Sequence, residues 1–331
     1  MPELPEVETI RIGLSKLLPG KIISKVDFDW PKSFPNAPED VKQFLVGARV
    51  VKVARRAKVL LIELSSKYSL VIHLKMTGQL VFVGRQEAST ASSSGLTRGS
   101  SKRGIAKGDS RIDWIPDQVR NDEKKEASLR FGGGHPNDSL VGELPVKSTR
   151  VTFEFTDGSK LFFNDQRKFG WVRLMPTAEV VNLDFFKKVG PEPLSAEFTW
   201  QVMKERLMRR KNSNIKAVLL DQTVLAGVGN IYADESLWAA KIHPATLTNK
   251  LSDRTIYWLH KSLQDVLQLS IDKGGSTDKN YVDAEGRKGS YLSFAKVFRR
   301  DGQPCPRCGT TIIKTRVAGR GTHLCPKCQK L

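Results

Sequence analysis

Cysteine is absent from this 331-residue chain until Cys305, and all four cysteines fall in its last stretch. A body without them excludes a disulfide framework and fits a reducing compartment, so a cytoplasmic location is expected. Long apolar runs are missing too. No segment approaches the roughly 18 residues of a spanning helix, so a membrane-embedded chain is not expected. The opening MPELPEVE has neither a basic region nor an apolar one, so no secretory signal is expected. Acidic residues are scarce, 35 Asp+Glu against 54 Lys+Arg, which leaves a net charge of +19. Such an excess points to polyanionic partners, nucleic acid first and anionic membrane second. What remains is ordinary for a globular protein. Hydrophobic residues make up 39%, and the length suits two domains with a buried core.

The first half reads as short strands after one early helix, at 22–28, 50–54, 59–64, 70–74, 80–83, 151–155, 161–163 and 171–174. Val151-Thr-Phe153-Glu-Phe155 alternates, which puts one face inward and one toward water. Thr156-Asp157-Gly158 carries a tight-turn signature. Many short strands with tight turns predict an antiparallel β-sandwich or barrel. From about Asp184 the period becomes helical, at 198–208, 215–220 and 231–240. A long helix follows, with Ile256, Leu259, Leu263, Val266 and Leu267 on one face, ending at Gly274-Gly275. Ala226-Gly227-Val228-Gly229-Asn230 is a turn between two of these helices, either an ordinary corner or a nucleic-acid-binding hairpin. Residues 86–148 fit neither half. Their Ser/Thr/Gly-rich and charged stretches predict a mostly disordered insertion, with at most a short helix near 117–126, and deleting about 86–146 should leave folding intact. The expected division is a β-domain over 1–177, a helical domain over 184–293 and a metal-bound ribbon over 296–331. The fold class is α+β.

Cys305-x2-Cys308-x16-Cys325-x2-Cys328 is the strongest local motif. Two thiolate knuckles supply zinc's tetrahedral sulfur shell, and a closed four-sulfur site has no position left for substrate, so one structural Zn2+ is expected. Residues 296–331 carry nine Lys/Arg against one Asp, a surface suited to phosphate. At the other end, the first eight residues hold three glutamates and no base. Pro5 suits a first helical turn, and Glu6 and Glu8 sit well at its dipole's positive end. That leaves Pro2-Glu3. Loss of Met1 would expose a secondary amine at Pro2, partly neutral near physiological pH and nucleophilic, with a carboxylate beside it to move protons.

Met1-Pro-Glu-Leu-Pro-Glu-Val-Glu8, Arg55-Arg-Ala-Lys58, His73-Leu-Lys-Met-Thr-Gly78, Gly227-Val-Gly-Asn-Ile-Tyr-Ala233 with Glu235, and the four-cysteine ribbon together resemble the bacterial formamidopyrimidine-DNA glycosylase family. They occur in that family's order and span the chain except for the insertion. The resemblance implies a monomeric enzyme that needs no organic cofactor. It would remove oxidised purines from double-stranded DNA and then cut the abasic strand by β,δ-elimination. Pro2 would attack the sugar and form a Schiff base, with Glu3 assisting ring opening. Lys58 would serve β-elimination, and Arg320 would serve δ-elimination as a cation beside phosphate. Met76, Arg167 and Phe169 would fill the gap left by the flipped-out lesion. Asn230 and Lys211 would hold phosphates, Glu6 and Glu235 would support the N-terminal site, and 276–290 would close over the extruded base. Three departures stand out. Lys75 replaces a usual Gly, Asp165-Gln-Arg-Lys-Phe-Gly170 lacks a usual Pro, and Lys147-Ser148-Thr149-Arg150 lacks a usual phosphate-contacting His. Two other readings stay open, a non-catalytic zinc-ribbon DNA-binding protein and an endonuclease VIII-like glycosylase for oxidised pyrimidines.

Overall fold

The computed structural model describes residues 2–85, 128–134, 142–276 and 291–331. Helix α1 (Leu4–Leu17) leads into β1 (Ile23–Phe28), α2 (Pro38–Phe44), β2 (Val50–Arg56), β3 (Val59–Leu64), β4 (Tyr68–His73) and β5 (Gly78–Arg85). Then come β6 (Ser128–Gly134), β7 (Thr149–Phe155), β8 (Lys160–Asp165) and β9 (Trp171–Pro176). These strands form two antiparallel sheets, ordered β1-β7-β8-β5-β6 and β2-β3-β4-β9. Alternation explains the layers: Phe153, Leu80 and Phe82 from one sheet share a core with Leu60, Ile62 and Ile72 from the other. Val7, Ile10 and Leu14 of α1 belong to the same core. Asp157-Gly158 makes the expected β7–β8 turn, with Gly158 at φ 81° and Asp157 accepting from the Ser159 N–H at 2.9 Å.

Strand β6 corrects the reading of 86–148 as an insertion foreign to the sheet. Residues 86–127 and 135–141 lie outside the described residues, and so does the helix expected near 117–126. Between them β6 pairs with β5 from Gln79↔Gly134 to Arg85↔Ser128. Phe131 is buried against α1, where a Cβ on Gly13 would sit 2.1 Å from its ring. The Leu129/Phe131 alternation was a strand signal of two residues, hidden by polar flanks and three following glycines.

The second lobe contains α3 (Asp184–Lys188), α4 (Trp200–Met208), α5 (Ile215–Leu220), α6 (Asn230–Ala239), α7 (Asp253–Asp272) and α8 (Tyr291–Phe294). Asn214 caps α5 by accepting from the Ala217 N–H at 2.8 Å, and Ser252 caps α7 through Thr255. Ile256, Leu259, Leu263 and Leu267 bury the expected face of α7 among Met203, Leu219 and Tyr232. A hairpin of β10 (Ile313–Val317) and β11 (Arg320–Leu324) ends the chain, turning at Ala318 (φ 51°) and Gly319 (φ 72°). The four expected cysteine sulfurs lie within 4.8 Å of one another, three of the pairs at 3.4 to 4.0 Å. Zinc–sulfur bonds near 2.3 Å in a tetrahedron separate sulfurs by about 3.8 Å, so the set fits one structural zinc. No helix among the described residues is long and apolar enough to cross a membrane.

Candidate active site

The chain's first residues are seated on the turn between α5 and α6. The Leu4 N–H donates to the Gly227 carbonyl at 3.0 Å. A Cβ on Gly229 would lie 2.0 Å from the Glu3 carboxyl carbon, so glycine there is a requirement of close approach. Glu3 Oε1 accepts from the Ile231 N–H, at 3.4 Å, in the first turn of α6. Its Oε2 is buried with no hydrogen-bond partner among the described residues. Burial pushes the Glu3 carboxyl up to about 7, with Lys58 opposing and Glu6 adding to the rise. Glu6 accepts from the Glu3 N–H at 2.7 Å, from the Ser276 N–H at 2.8 Å and from the Tyr232 hydroxyl.

Lys58 enters from the opposite lobe. Ala57, in the left-handed region at φ 53°, turns the chain so that Lys58 Nζ donates to the Val228 carbonyl at 3.1 Å. Burial pulls its ammonium below the usual lysine range, with Glu3 and Glu6 opposing. Gln222 donates to the same carbonyl at 2.8 Å and accepts from the Gly227 N–H at 2.9 Å. A cavity of about 680 Å³ opens here, and its lining includes Pro2, Glu3, Lys58, Met76, Asn230 and Arg320. Six residues separated by up to 318 positions thus share one pocket. Ser276 also lines it, while 277–290 lie outside the described residues.

Glu192, in the connection between the lobes, was not anticipated. Its carboxylate pairs with Arg55 at 2.8 Å and Arg56 at 3.0 Å, and accepts from the Ala57 N–H at 2.5 Å. Arg56 also donates to the Gly190 carbonyl at 2.7 Å. Nothing local in Pro191-Glu-Pro193 announces these contacts. Lys216 and Asp234 were likewise missed. They form an ion pair at 2.7 Å with both side chains fully buried, and Lys216 donates to the Gly321 carbonyl at 2.9 Å. Helices α5 and α6 are thereby locked to the hairpin that carries Arg320.

Met76, Arg167 and Phe169 converge, as the sequence suggested. Met76 is 42% and Phe169 53% exposed. The Arg167 guanidinium lies 4.8 Å over the Phe169 ring and donates to Met76 Sδ at 3.2 Å. Asp165 ties their loops together from inside by accepting from Thr77 and from the Gly170 N–H at 2.6 Å. The departures now have physical content. Lys75 is left-handed at φ 51°, the backbone that favours the glycine it replaces. Its N–H donates to His73 Nδ1 at 3.0 Å. Burial, with Lys75 and Lys58 adding, holds the His73 imidazole down to about 3 and therefore neutral. Arg150 is spent inside the fold on Asp29 at 2.7 Å and the Asp165 carbonyl at 3.0 Å, whereas Lys147 is exposed.

Two expected site residues sit elsewhere. Glu235 does not face the N-terminus. Its carboxylate accepts from the N–H groups of Lys296, Val297 and Phe298 at 2.8, 2.9 and 2.8 Å, anchoring the segment that leads into the ribbon. Burial raises its carboxyl despite these donors. Lys211 is exposed after α4 and is not among the residues lining the cavity. Asn230 does line it, and its amide donates to the Gly321 carbonyl at 3.0 Å.

Three family models divide the chain among them. Residues 1–172 match the formamidopyrimidine-DNA glycosylase N-terminal domain, 189–281 the H2TH domain of that glycosylase, and 302–331 the zinc finger found in FPG and IleRS. The chain belongs to the formamidopyrimidine-DNA glycosylase family. It is 37% identical to the formamidopyrimidine-DNA glycosylase of Pelotomaculum thermopropionicum, over 100% of both chains. With that of Desulforamulus reducens identity is 38%, over 100% of this chain and 99% of the other. Among solved structures, the complex between the Lactococcus lactis Fpg and an abasic site containing DNA matches with a TM-score of 0.75 and 31% identity, over 99% of this chain and 100% of the other. MutM in complex with carbocyclic 8-oxo-G containing DNA matches with a TM-score of 0.74 and 32% identity, over 100% of both chains. The expected α+β fold, the glycosylase activity of base excision repair and the DNA partner are those of this family.

Proposed function

We propose that this glycosylase removes oxidised purines from duplex DNA and then cleaves the abasic strand, using the cavity where Pro2, Glu3 and Lys58 meet. The observation that carries this reading is the convergence of Pro2, Glu3, Lys58 and Arg320 on one cavity, in which burial raises the Glu3 carboxyl. Once Met1 is removed, the neutral Pro2 amine attacks the sugar C1′ and the base departs. Glu3, a proton donor near neutrality, assists ring opening. A Schiff base then links Pro2 to the sugar. Lys58, whose proton affinity is reduced by burial, transfers the proton of β-elimination. Arg320 stands as a fixed cation for the phosphate released by δ-elimination. Met76, Arg167 and Phe169 fill the stack from which the lesion leaves. Asn230 at the cavity and the exposed Lys211 outside it hold phosphates, and Lys147 supplies the charge that the family's usual histidine would provide. Glu6 braces the first turn of α1, and the zinc holds the hairpin of Arg320 in shape. The parts divide at about 177–184 and 293–296, and the enzyme works as a cytoplasmic monomer on nucleoid DNA.

The test is a duplex carrying one 8-oxoguanine opposite cytosine. Strand cleavage is expected, and borohydride should trap a covalent adduct that maps to the first tryptic peptide, residues 2–11. Retaining Met1 should abolish trapping while leaving phosphate-driven binding nearly unchanged. An adduct on Lys58, or cleavage of oxidised pyrimidines alone, would overturn the proposal.

A further inference from the structure

We infer that Trp30 is a positioning residue for the loop that presents Arg167 and Phe169, acting through Lys168. The inference rests on the proposed reading of those two residues and Met76 as the element that enters the DNA stack. The Lys168 ammonium lies 4.0 Å over the Trp30 ring, and Lys168 is left-handed at φ 57°. Lys168 goes to Trp30, while Arg167 and Phe169 stack on each other at 4.8 Å beside Met76. The contact is a cation–π pair on the ring type that binds cations best.

Trp30 stands on a firm base. The Ser33 and Phe34 N–H groups donate to its carbonyl at 2.9 and 3.3 Å, and Phe34 is buried against Phe28 with ring centres 5.1 Å apart. Its neighbour Asp29 pairs with Arg150 at 2.7 Å, and Arg150 donates to the Asp165 carbonyl at 3.0 Å. The dipeptide Asp29-Trp30 thus grips the loop twice, at its entry through Arg150 and at its tip through Lys168. From inside, Asp165 accepts from the Arg167 N–H at 3.2 Å and the Gly170 N–H at 2.6 Å. A loop that has Gln166 where the family usually has proline is held by these two braces, one polar and one aromatic. Lys168 is exposed, yet its role is to be held rather than to meet phosphate.

A double-mutant cycle on the full-length, Met1-processed enzyme tests this. W30L, K168M and the double variant are compared in single-turnover excision of 8-oxoguanine from a duplex with 2-aminopurine beside the lesion. Each single change should slow the fluorescence step and base excision by roughly three- to fivefold, and the double should be no slower than either single. W30F should fall between. Borohydride trapping on a single-stranded abasic oligonucleotide, where no stack needs filling, should be unchanged in all of them. W30L at wild-type speed with K168M slow would mean that the lysine meets DNA directly and would overturn the inference, as would additive losses. If W30L fails the single-strand control through misfolding, W30F carries the cycle with the same criteria. Failure of the wild-type enzyme to trap any substrate would strike the proposed function, whereas normal trapping with a silent cycle would strike only the brace.

Discussion

A carboxyl held near 7 has a consequence for stability as well as for proton transfer. The folded pKa of Glu3 is raised, to about 7, so the folded state binds the extra proton. That contribution is fully present below the ordinary glutamate range and is lost as pH rises through about 7. Glu3→Gln removes the linkage. The variant should match the wild-type protein in stability near pH 4 and exceed it at pH 8.5, by up to about 3 kcal/mol. Thermal melts at the two pH values check this, and parallel profiles would refute it. Excision by the wild type should fall over the same interval, while cleavage of a preformed abasic site should not. Little of this was legible in the sequence. The motif named Pro2, Glu3 and Lys58, but the shift comes from burial against Gly229 and Ile231, more than 200 residues away. Lys58 alone reads as a solvated strand-end lysine, and only its contact with Val228 shows otherwise. Lys75 shows the converse case. Its departure from the family was visible, and the left-handed backbone at φ 51° explains why glycine is usual there.

Elements whose pattern is repeated were readable, and those stated only once were not. About three turns of periodicity marked α7, and paired cysteine knuckles marked the ribbon. Strand β6 offered only Leu129 and Phe131 amid glycine and polar residues, so its place beside β5 was missed. The consequence is a split expectation for deletions. Arg85 and Ser128 are Cα partners at the open end of the β5–β6 pair, so a two-residue Asn-Gly turn can join them. Replacing 86–127 with that turn should leave the melting temperature and zinc content near wild type. Deleting 86–146 removes Phe131 from Gly13 of α1 and leaves β5 as an exposed edge, a loss of at least the roughly 3–5 kcal/mol of a Phe→Ala cavity. Soluble yield and circular dichroism melts would separate the two. Equal stability of both deletions would mean that β6 contributes nothing to the core.

No single lobe holds the candidate site. Pro2 and Glu3 come from the tip of α1, Val228 and Asn230 from the α5–α6 turn, and Arg320 from the ribbon. The folded arrangement must therefore be set by whatever fixes the lobes to each other. Within the second lobe, Lys216 and Asp234, fully buried, fix the ribbon hairpin to α5 and α6. Glu192 fixes the lobes to each other at their connection, where one carboxylate holds Arg55, Arg56 and the Ala57 N–H. Neither device could be read from sequence, because each joins segments that only tertiary structure brings together. Ala57 is strained at φ 53°, and Lys58 follows it directly, so releasing this clamp should be felt at the Lys58–Val228 contact. Glu192→Gln keeps an acceptor but loses the charge facing two guanidiniums. Stability should drop by about 1–2 kcal/mol, a partly exposed pair being worth less than a dry one. The kinetic signature is more specific. Schiff-base formation at Pro2 does not use Lys58, so borohydride trapping on an abasic duplex should proceed at nearly the wild-type rate. Strand cutting by elimination should slow about tenfold, equivalent to a loss of roughly 1.4 kcal/mol of transition-state stabilisation. Adduct should therefore accumulate ahead of product in a single-turnover time course. If trapping and cutting slow together, Glu192 supports the fold as a whole. If neither changes, the alignment of Lys58 does not depend on the junction between the lobes.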